Sequence, residues 1–182
     1  MPARDHADAV PAGRNSGNVE VRPARPADLA ALTGIYNHHV ENTAVCFDIE
    51  PFSVEARAPW FSQFGDTGRY RIFVAETGGG IFGYACSTRF RAKPAYDTSI
   101  ETSVYVRPDD QRRGIGAALY GALFAALEGQ DLRRAYAAVT LPNEASVALH
   151  RRFGFREVAT FSAVRRKFGR YWDIRWMERA LP

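Results

Sequence analysis

The residues of this chain best suited to chemistry lie in one run from Val104 to Ala117: Val-Tyr-Val-Arg-Pro-Asp-Asp-Gln-Arg-Arg-Gly-Ile-Gly-Ala. A short apolar strand ends, a polar turn follows, and basic residues alternate with glycines. An amphipathic helix then carries Leu119, Tyr120, Leu123, Phe124 and Leu127. A glycine-rich turn that opens a helix gathers unpaired backbone N–H groups at the positive end of the helix dipole. That arrangement suits a pyrophosphate. Gly114 and Gly116 lack a Cβ, so an anion can approach the backbone closely, and Arg112 and Arg113 add charge. The plain alternative is a helix start that merely tolerates glycine.

Two nucleotide motifs are excluded. The NTPase loop needs Gly-Lys-Ser/Thr, which is absent. The dinucleotide fingerprint needs a third glycine where Leu119 stands. What remains is Gln111-x-x-Gly114-x-Gly116. Metal chemistry finds no support either. Cys46 and Cys86 are far apart, and His6, His38, His39 and His150 form no ligand spacing.

The surrounding elements follow from periodicity and punctuation. Val19 to Arg22 reads as a strand, and Leu29, Leu32, Ile35, Tyr36 and Val40 recur at helical spacing. Ser53 to Phe64 reads as a helix that Pro59 kinks or divides. Tyr70 to Glu76 and Ile81 to Phe90 are strands joined by Thr77-Gly78-Gly79-Gly80. Thr98 to Arg107 alternates as a strand, with Ile100, Thr102, Val104 and Val106 on one side. The glycine-loop helix runs to about Glu128 and stops at Gly129. Ala135 to Leu141 is a strand. Asn143 caps a helix over Ala145 to Phe153, closed by Gly154. Phe155 to Ala163 and Tyr171 to Glu178 are the last strands. The order β-α-α-β-β-β-α-β-α-β-β implies a mixed sheet with helices on its faces.

The chain's 182 residues suffice for one domain, here 19–182, after a polar tail over 1–18 that is expected to be flexible. No apolar run is long enough for a membrane span, and the tail lacks the apolar core of a secretory signal. A reducing cytoplasm is the default expectation. The net charge of +4 is spread along the chain. It gives no reader motif for nucleic acid and suits attraction of polyanions.

The Gln111–Gly116 loop resembles the coenzyme A pyrophosphate loop of the GNAT N-acetyltransferases. So does the order of elements, with Leu141-Pro142-Asn143 followed by His150-Arg151-Arg152-Phe153-Gly154-Phe155. The resemblance narrows to the phosphinothricin and methionine sulfoximine N-acetyltransferases through four segments. These are Ile35 to Glu41, Phe47 to Pro51, Ala95-Tyr96-Asp97 with Glu101 to Val106, and Arg166 to Asp173. It covers nearly everything from Val19 onward. It implies a GNAT fold of α+β type, with a central mixed, mostly antiparallel sheet and helices on both faces.

The resemblance also implies roles. Glu101 matches a glutamate placed to take the amine proton, against the alternative of a solvated sheet-edge carboxylate. Val104, Tyr105 and Val106 offer a free strand edge to the pantetheine arm of acetyl-CoA. Arg112, Arg113, Gly114, Ile115, Gly116 and Ala117 hold its pyrophosphate. Asn143 caps its helix, binds pantetheine, or does both, with Ser146 on the same helix face. His150 stands where many relatives carry a tyrosine acid. It either protonates the leaving thiolate as an imidazolium or packs on the cofactor. Arg152 reaches a phosphate or is solvated. Phe47, Arg89, Arg91, Tyr96, Lys167 and Phe168 match or adjoin the acceptor site, and the three cations suit an anionic acceptor.

Together these imply an acetyl-CoA-dependent N-acetyltransferase of a small amino-acid-like amine. It would act by direct transfer in a ternary complex, as a homodimer, with no metal. The alternatives are an acetyltransferase of a protein N-terminus or polyamine, and a non-catalytic acyl-CoA sensor.

Overall fold

The computed structural model describes residues 19–110 and 114–182. The expected tail, 1–18, and Gln111, Arg112 and Arg113 lie outside the described residues.

The elements in chain order are β1 (Glu20–Pro23), α1 (Leu29–Asn42), α2 (Val54–Phe61), β2 (Ile72–Thr77), β3 (Gly80–Arg89), β4 (Ser99–Val106), α3 (Ile115–Ala126), β5 (Arg134–Thr140), α4 (Glu144–Arg152), β6 (Arg156–Lys167) and β7 (Arg170–Ala180). This is the order that periodicity predicts. Two details differ. Pro59 lies inside α2 and does not divide it, and the Ser53 hydroxyl caps that helix by accepting from Ala56 N at 3.1 Å. β6 runs to Lys167 rather than stopping at Ala163. A bulge between Phe161 and Arg165, with Ala163 at φ 51°, absorbs the break in alternation there.

The strands form one sheet in the order β1-β2-β3-β4-β5-β7-β6. Only β4 and β5 are parallel; the other neighbours are antiparallel. Alternate side chains go to opposite faces. Phe73, Ala75, Ala85 and Ile100 pack with Leu119, Tyr120 and Leu123 of α3 in the larger core. Ile72, Val74, Tyr84 and Cys86 pack on the other face with Leu32 and Ile35 of α1, and with Trp60 and Phe61 of α2. The helices therefore cover both faces. Glu101, Ser103 and Tyr105 of β4 point to the α1–α2 side, and Thr102, Val104 and Val106 to the α3 side. Among the described residues no helix is long and apolar enough to cross a membrane.

Candidate active site

The parallel pairing of β4 with β5 covers only Ser99 to Glu101 against Arg134 to Tyr136. Beyond Glu101 the strands diverge. Thr102 donates its hydroxyl to Tyr136 O at 3.3 Å, a side-chain link at the point of divergence. On the β4 side of the fork stand Ser103, Val104, Tyr105 and Val106; on the β5 side stand Ala137, Ala138, Val139 and Thr140. Two alanines there leave width that larger side chains would fill. The result is a cleft of about 500 Å³.

α3 starts at one end of the cleft. Gly114 is its N-cap, in the left-handed region at φ 77°, which favours glycine. The first helical bond is Ala118 N to Gly114 O at 3.0 Å. The N–H groups of Ile115, Gly116 and Ala117 therefore have no partner within the helix, and all three residues line the cleft. A Cβ on Gly116 would meet Leu149 Cδ2 at 3.0 Å, so this glycine lets α3 lie close to α4. An elongated ligand with amides at one end and a pyrophosphate at the other fits this combination of open strand edge and helix terminus.

From α4, Asn143, Ser146, His150 and Arg152 face the same cleft. Asn143 Oδ1 accepts from Ser146 N at 3.1 Å, so the capping role is realised. Its Nδ2 makes no hydrogen bond among the described residues. His150 is buried. Its Nδ1–H donates to Ser146 O at 2.7 Å, which leaves Nε2 to accept from the Tyr120 hydroxyl at 2.9 Å. Burial lowers its pKa, against the opposing pull of the Ser146 carbonyl. This arrangement works against an imidazolium donor.

Glu101 sits at the base of the fork on the α1–α2 side; its backbone carbonyl accepts from the Thr88 hydroxyl at 3.4 Å, and its carboxylate makes no hydrogen bond among the described residues. Burial raises its pKa, and the nearby Arg91 guanidinium only partly opposes this. A carboxyl raised in this way is a stronger base than a solvated one.

The six acceptor-site candidates do not form one group. Arg91 acts on the Glu101 charge and Tyr96 lies across Phe90 from it, whereas Arg89, opposite Ile100, points to the α3 face, away from Glu101. The Arg89 position pairs with Ile100, and its Nε is 3.5 Å from the Tyr70 hydroxyl. The Arg91 guanidinium stacks at 4.4 Å over Phe90, whose ring is 6.0 Å from that of Tyr96. Phe47, Lys167 and Phe168 lie instead where the loop 43–52 meets the β6–β7 hairpin. Phe47 and Phe168 are exposed, and Phe168 makes the hairpin turn at φ 52°. Lys167 is buried, and its Nζ donates to Asp48 O at 2.9 Å and approaches Cys46 Sγ at 3.3 Å. It is therefore committed to the loop and is no free cation.

Several contributors escaped the sequence reading. His39 lines the cleft, and its Nε2–H donates to Val106 O at 3.0 Å. Arg165 of β6 donates to Ala44 O, to Cys46 O at 2.5 Å and to Thr140 Oγ1 at 2.9 Å, tying the loop 43–52 to the cleft wall. Phe90 stacks on Tyr136 at 4.2 Å and meets Trp176 edge-on at 6.0 Å, an aromatic shelf beside Glu101. The only available signal was the aromatic content of those segments, which equally fits a core. Among the described residues no three His, Cys, Asp or Glu side chains form a metal group.

The acetyltransferase (GNAT) domain family matches residues 21–176. The chain is 53% identical over 168 residues to a phosphinothricin N-acetyltransferase of Streptomyces coelicolor, covering 91% of this chain and 98% of that protein. It is 33% identical to an L-methionine sulfoximine/L-methionine sulfone acetyltransferase of Pseudomonas aeruginosa, over 88% of this chain and 94% of that one. A crystal structure of a GNAT superfamily phosphinothricin acetyltransferase from Sinorhizobium meliloti, in complex with AcCoA, superposes with a TM-score of 0.84. It is 33% identical and covers 90% of this chain and 88% of that chain.

Proposed function

This chain belongs to the GNAT acetyltransferase family, and we propose that it acetylates the amine of phosphinothricin, methionine sulfoximine, methionine sulfone or a close amino-acid analogue, by direct transfer from acetyl-CoA. Its acetyl-CoA-dependent N-acetyltransferase activity follows from the family and its relatives. The observation that carries the reading is the β4–β5 fork, which opens a strand edge beside the start of α3, with Glu101 the last paired residue of β4 at its base.

Within that geometry each residue has a task. The edge of Val104, Tyr105 and Val106 holds the pantetheine amides as an added strand would, apart from the Val106 carbonyl, which takes the His39 Nε2–H. The N–H groups of Ile115, Gly116 and Ala117, with the charge of Arg152, hold the pyrophosphate; Arg112 and Arg113 keep this role as a proposal. Asn143 Nδ2 and the Ser146 hydroxyl serve the arm between. A backbone N–H near Val104 polarises the thioester carbonyl. Glu101 takes the amine proton. His150, neutral and tied to Tyr120, orders the cleft wall, and the leaving thiolate takes its proton from solvent. Cys46 and Cys86 are both buried and lie outside this path, so no acetyl-enzyme is formed. The same pair of unoxidised thiols suits the cytoplasm. Two copies pair through the outer face of β6, where Val158, Phe161 and Val164 are exposed.

Thiol release from acetyl-CoA, measured with a panel of these acceptors, common amino acids, polyamines and short peptides, tests the acceptor class. Release with the amino-acid analogues alone is the expected result. Release only with peptides or polyamines, or binding of acetyl-CoA without release for any amine, overturns the reading. Mass spectrometry after acetyl-CoA alone should find no acetylated protein, and sedimentation should find a dimer.

A further inference from the structure

A second cavity, of about 220 Å³, lies between the sheet and α2. Its floor is two cross-strand pairs of β3 and β4, Tyr84–Tyr105 and Cys86–Ser103, and the next pair in that row is Thr88–Glu101. Residues two apart along a strand are separated by about 7 Å. The cavity thus ends within one small-molecule length of Glu101. Ser103 lines both this cavity and the cleft.

The facing wall holds Arg57, which is 5% exposed. Its guanidinium carbon is 4.1 Å from the ring centre of Tyr36 and 4.0 Å from that of Trp60. Aromatic faces favour the cation but supply no acceptor for the N–H groups in its plane. Arg57 Nε is buried without a hydrogen-bond partner, and the buried Tyr84 hydroxyl, which lies beside the guanidinium and serves it as an acceptor, has its own proton undonated. The one carboxylate lining the cavity, Asp48, accepts from the Tyr36 hydroxyl, and no ion pair to Arg57 is found among the described residues. A buried cation without an anion is unfavourable, and buried donors without partners are rare. Two such donors bordering one small cavity mark a place for oxygen atoms that carry negative charge.

We propose that this cavity receives an oxyanionic group of the amine acceptor, held by the Arg57 guanidinium and the Tyr84 hydroxyl, and that Arg57 thereby sets the preference for acidic acceptors. The proposal rests on the acceptor class given above. Lys167, a candidate for that task from sequence, is held by Asp48 O and Cys46. The oxyanion comes from either of two places on the acceptor, the α-carboxylate or an acidic group at the end of its side chain.

The test compares wild type, Arg57→Met and Arg57→Lys with phosphinothricin, its α-carboxamide and methionine sulfone. It measures kcat and KM, acetyl-CoA Kd, and acceptor Kd on protein saturated with CoA. Arg57→Met should lower kcat/KM for phosphinothricin by about 100-fold, chiefly through KM, with acetyl-CoA Kd unchanged. Arg57→Lys should recover part of it. If the α-carboxylate is held, the carboxamide becomes insensitive to the substitution while methionine sulfone stays sensitive; if the side-chain acid is held, the pattern reverses. An equal loss for all three compounds, or a parallel loss of acetyl-CoA affinity, overturns the proposal. Should Arg57→Met fail to fold, Arg57→Lys carries the comparison, with a loss of about 10-fold for the same compounds. Phosphinothricin turned over equally by wild type and variants overturns the role of Arg57 and leaves the acceptor class standing. A wild type that neither binds nor acetylates any of the three overturns both.

Discussion

Tyr120 of α3 gives its hydroxyl proton to His150 of α4 across 2.9 Å, inside the wall of the cleft. Tyr120 is fully buried, so this bond is how its hydroxyl is satisfied, together with a weaker contact to Thr102 Oγ1 at 3.4 Å. The pair couples α3 to α4 and to the base of the fork.

His150→Phe should therefore act first on stability. It strands the buried Tyr120 hydroxyl, a loss of about 1–3 kcal/mol. The alkaline limb of the kcat profile should stay in place, because a histidine whose pKa is lowered by burial is neutral there. The folded state favours the neutral ring. Its contribution to stability is full above the unfolded value near 6.5 and is lost as pH falls below it. Thermal melts of wild type and variant across pH 5 to 8 check the sign. A shift of the alkaline limb in the variant would instead restore the proton-donor role.

Glu101→Gln should lower kcat at neutral pH by about 100-fold or more, the usual contribution of a positioned base. The deficit should shrink as pH rises and the amine loses its proton unaided. The same change should raise Tm at neutral pH. Burial raises the folded pKa of Glu101, so ionising it opposes folding, and an uncharged amide removes that penalty. A variant that is slower but no more heat-stable would contradict the buried-carboxyl account.

Gly114→Val should raise the KM for acetyl-CoA by about 10-fold or more, since a branched residue at φ 77° must distort the first turn of α3. The acceptor KM should change little. Equal KM values for acetyl-CoA in a folded variant would remove the pyrophosphate from this loop.

Arg165→Met removes donors to Ala44 O, Cys46 O and Thr140 Oγ1 at once. A loss of about 3 kcal/mol in stability is expected, with a higher acceptor KM as the loop 43–52 loosens. Urea denaturation with steady-state kinetics separates the two effects.

The strand and helix order was legible because apolar spacing and glycine, proline and asparagine punctuation agree along the chain. Gly114 and Asn143 could be read individually, since their backbone roles are local, whereas the closeness of Gly116 to Leu149 of α4 appears only in the fold. The Lys167 commitment could not be read: it depends on Asp48 and Cys46, more than a hundred positions away. Arg57 gave no signal for a different reason. In sequence it is one more arginine on a short helix, and only packing sets it between Tyr36 and Trp60. The state of His150 likewise depends on Tyr120, thirty positions earlier.

The sheet order has a consequence for biosynthesis. β7 is inserted between β5 and β6, and it alone covers the side of β5 that faces away from β4. A nascent chain emerging from its N-terminus can pair β1 to β4 early. It cannot fix the β5 side of the fork until Arg170–Ala180 have cleared the ribosome, nor pin residues 43–52 until Arg165 and Lys167 arrive. Messages cut short before that point would yield chains that retain the first hairpins and the glycine turn but have no assembled binding site.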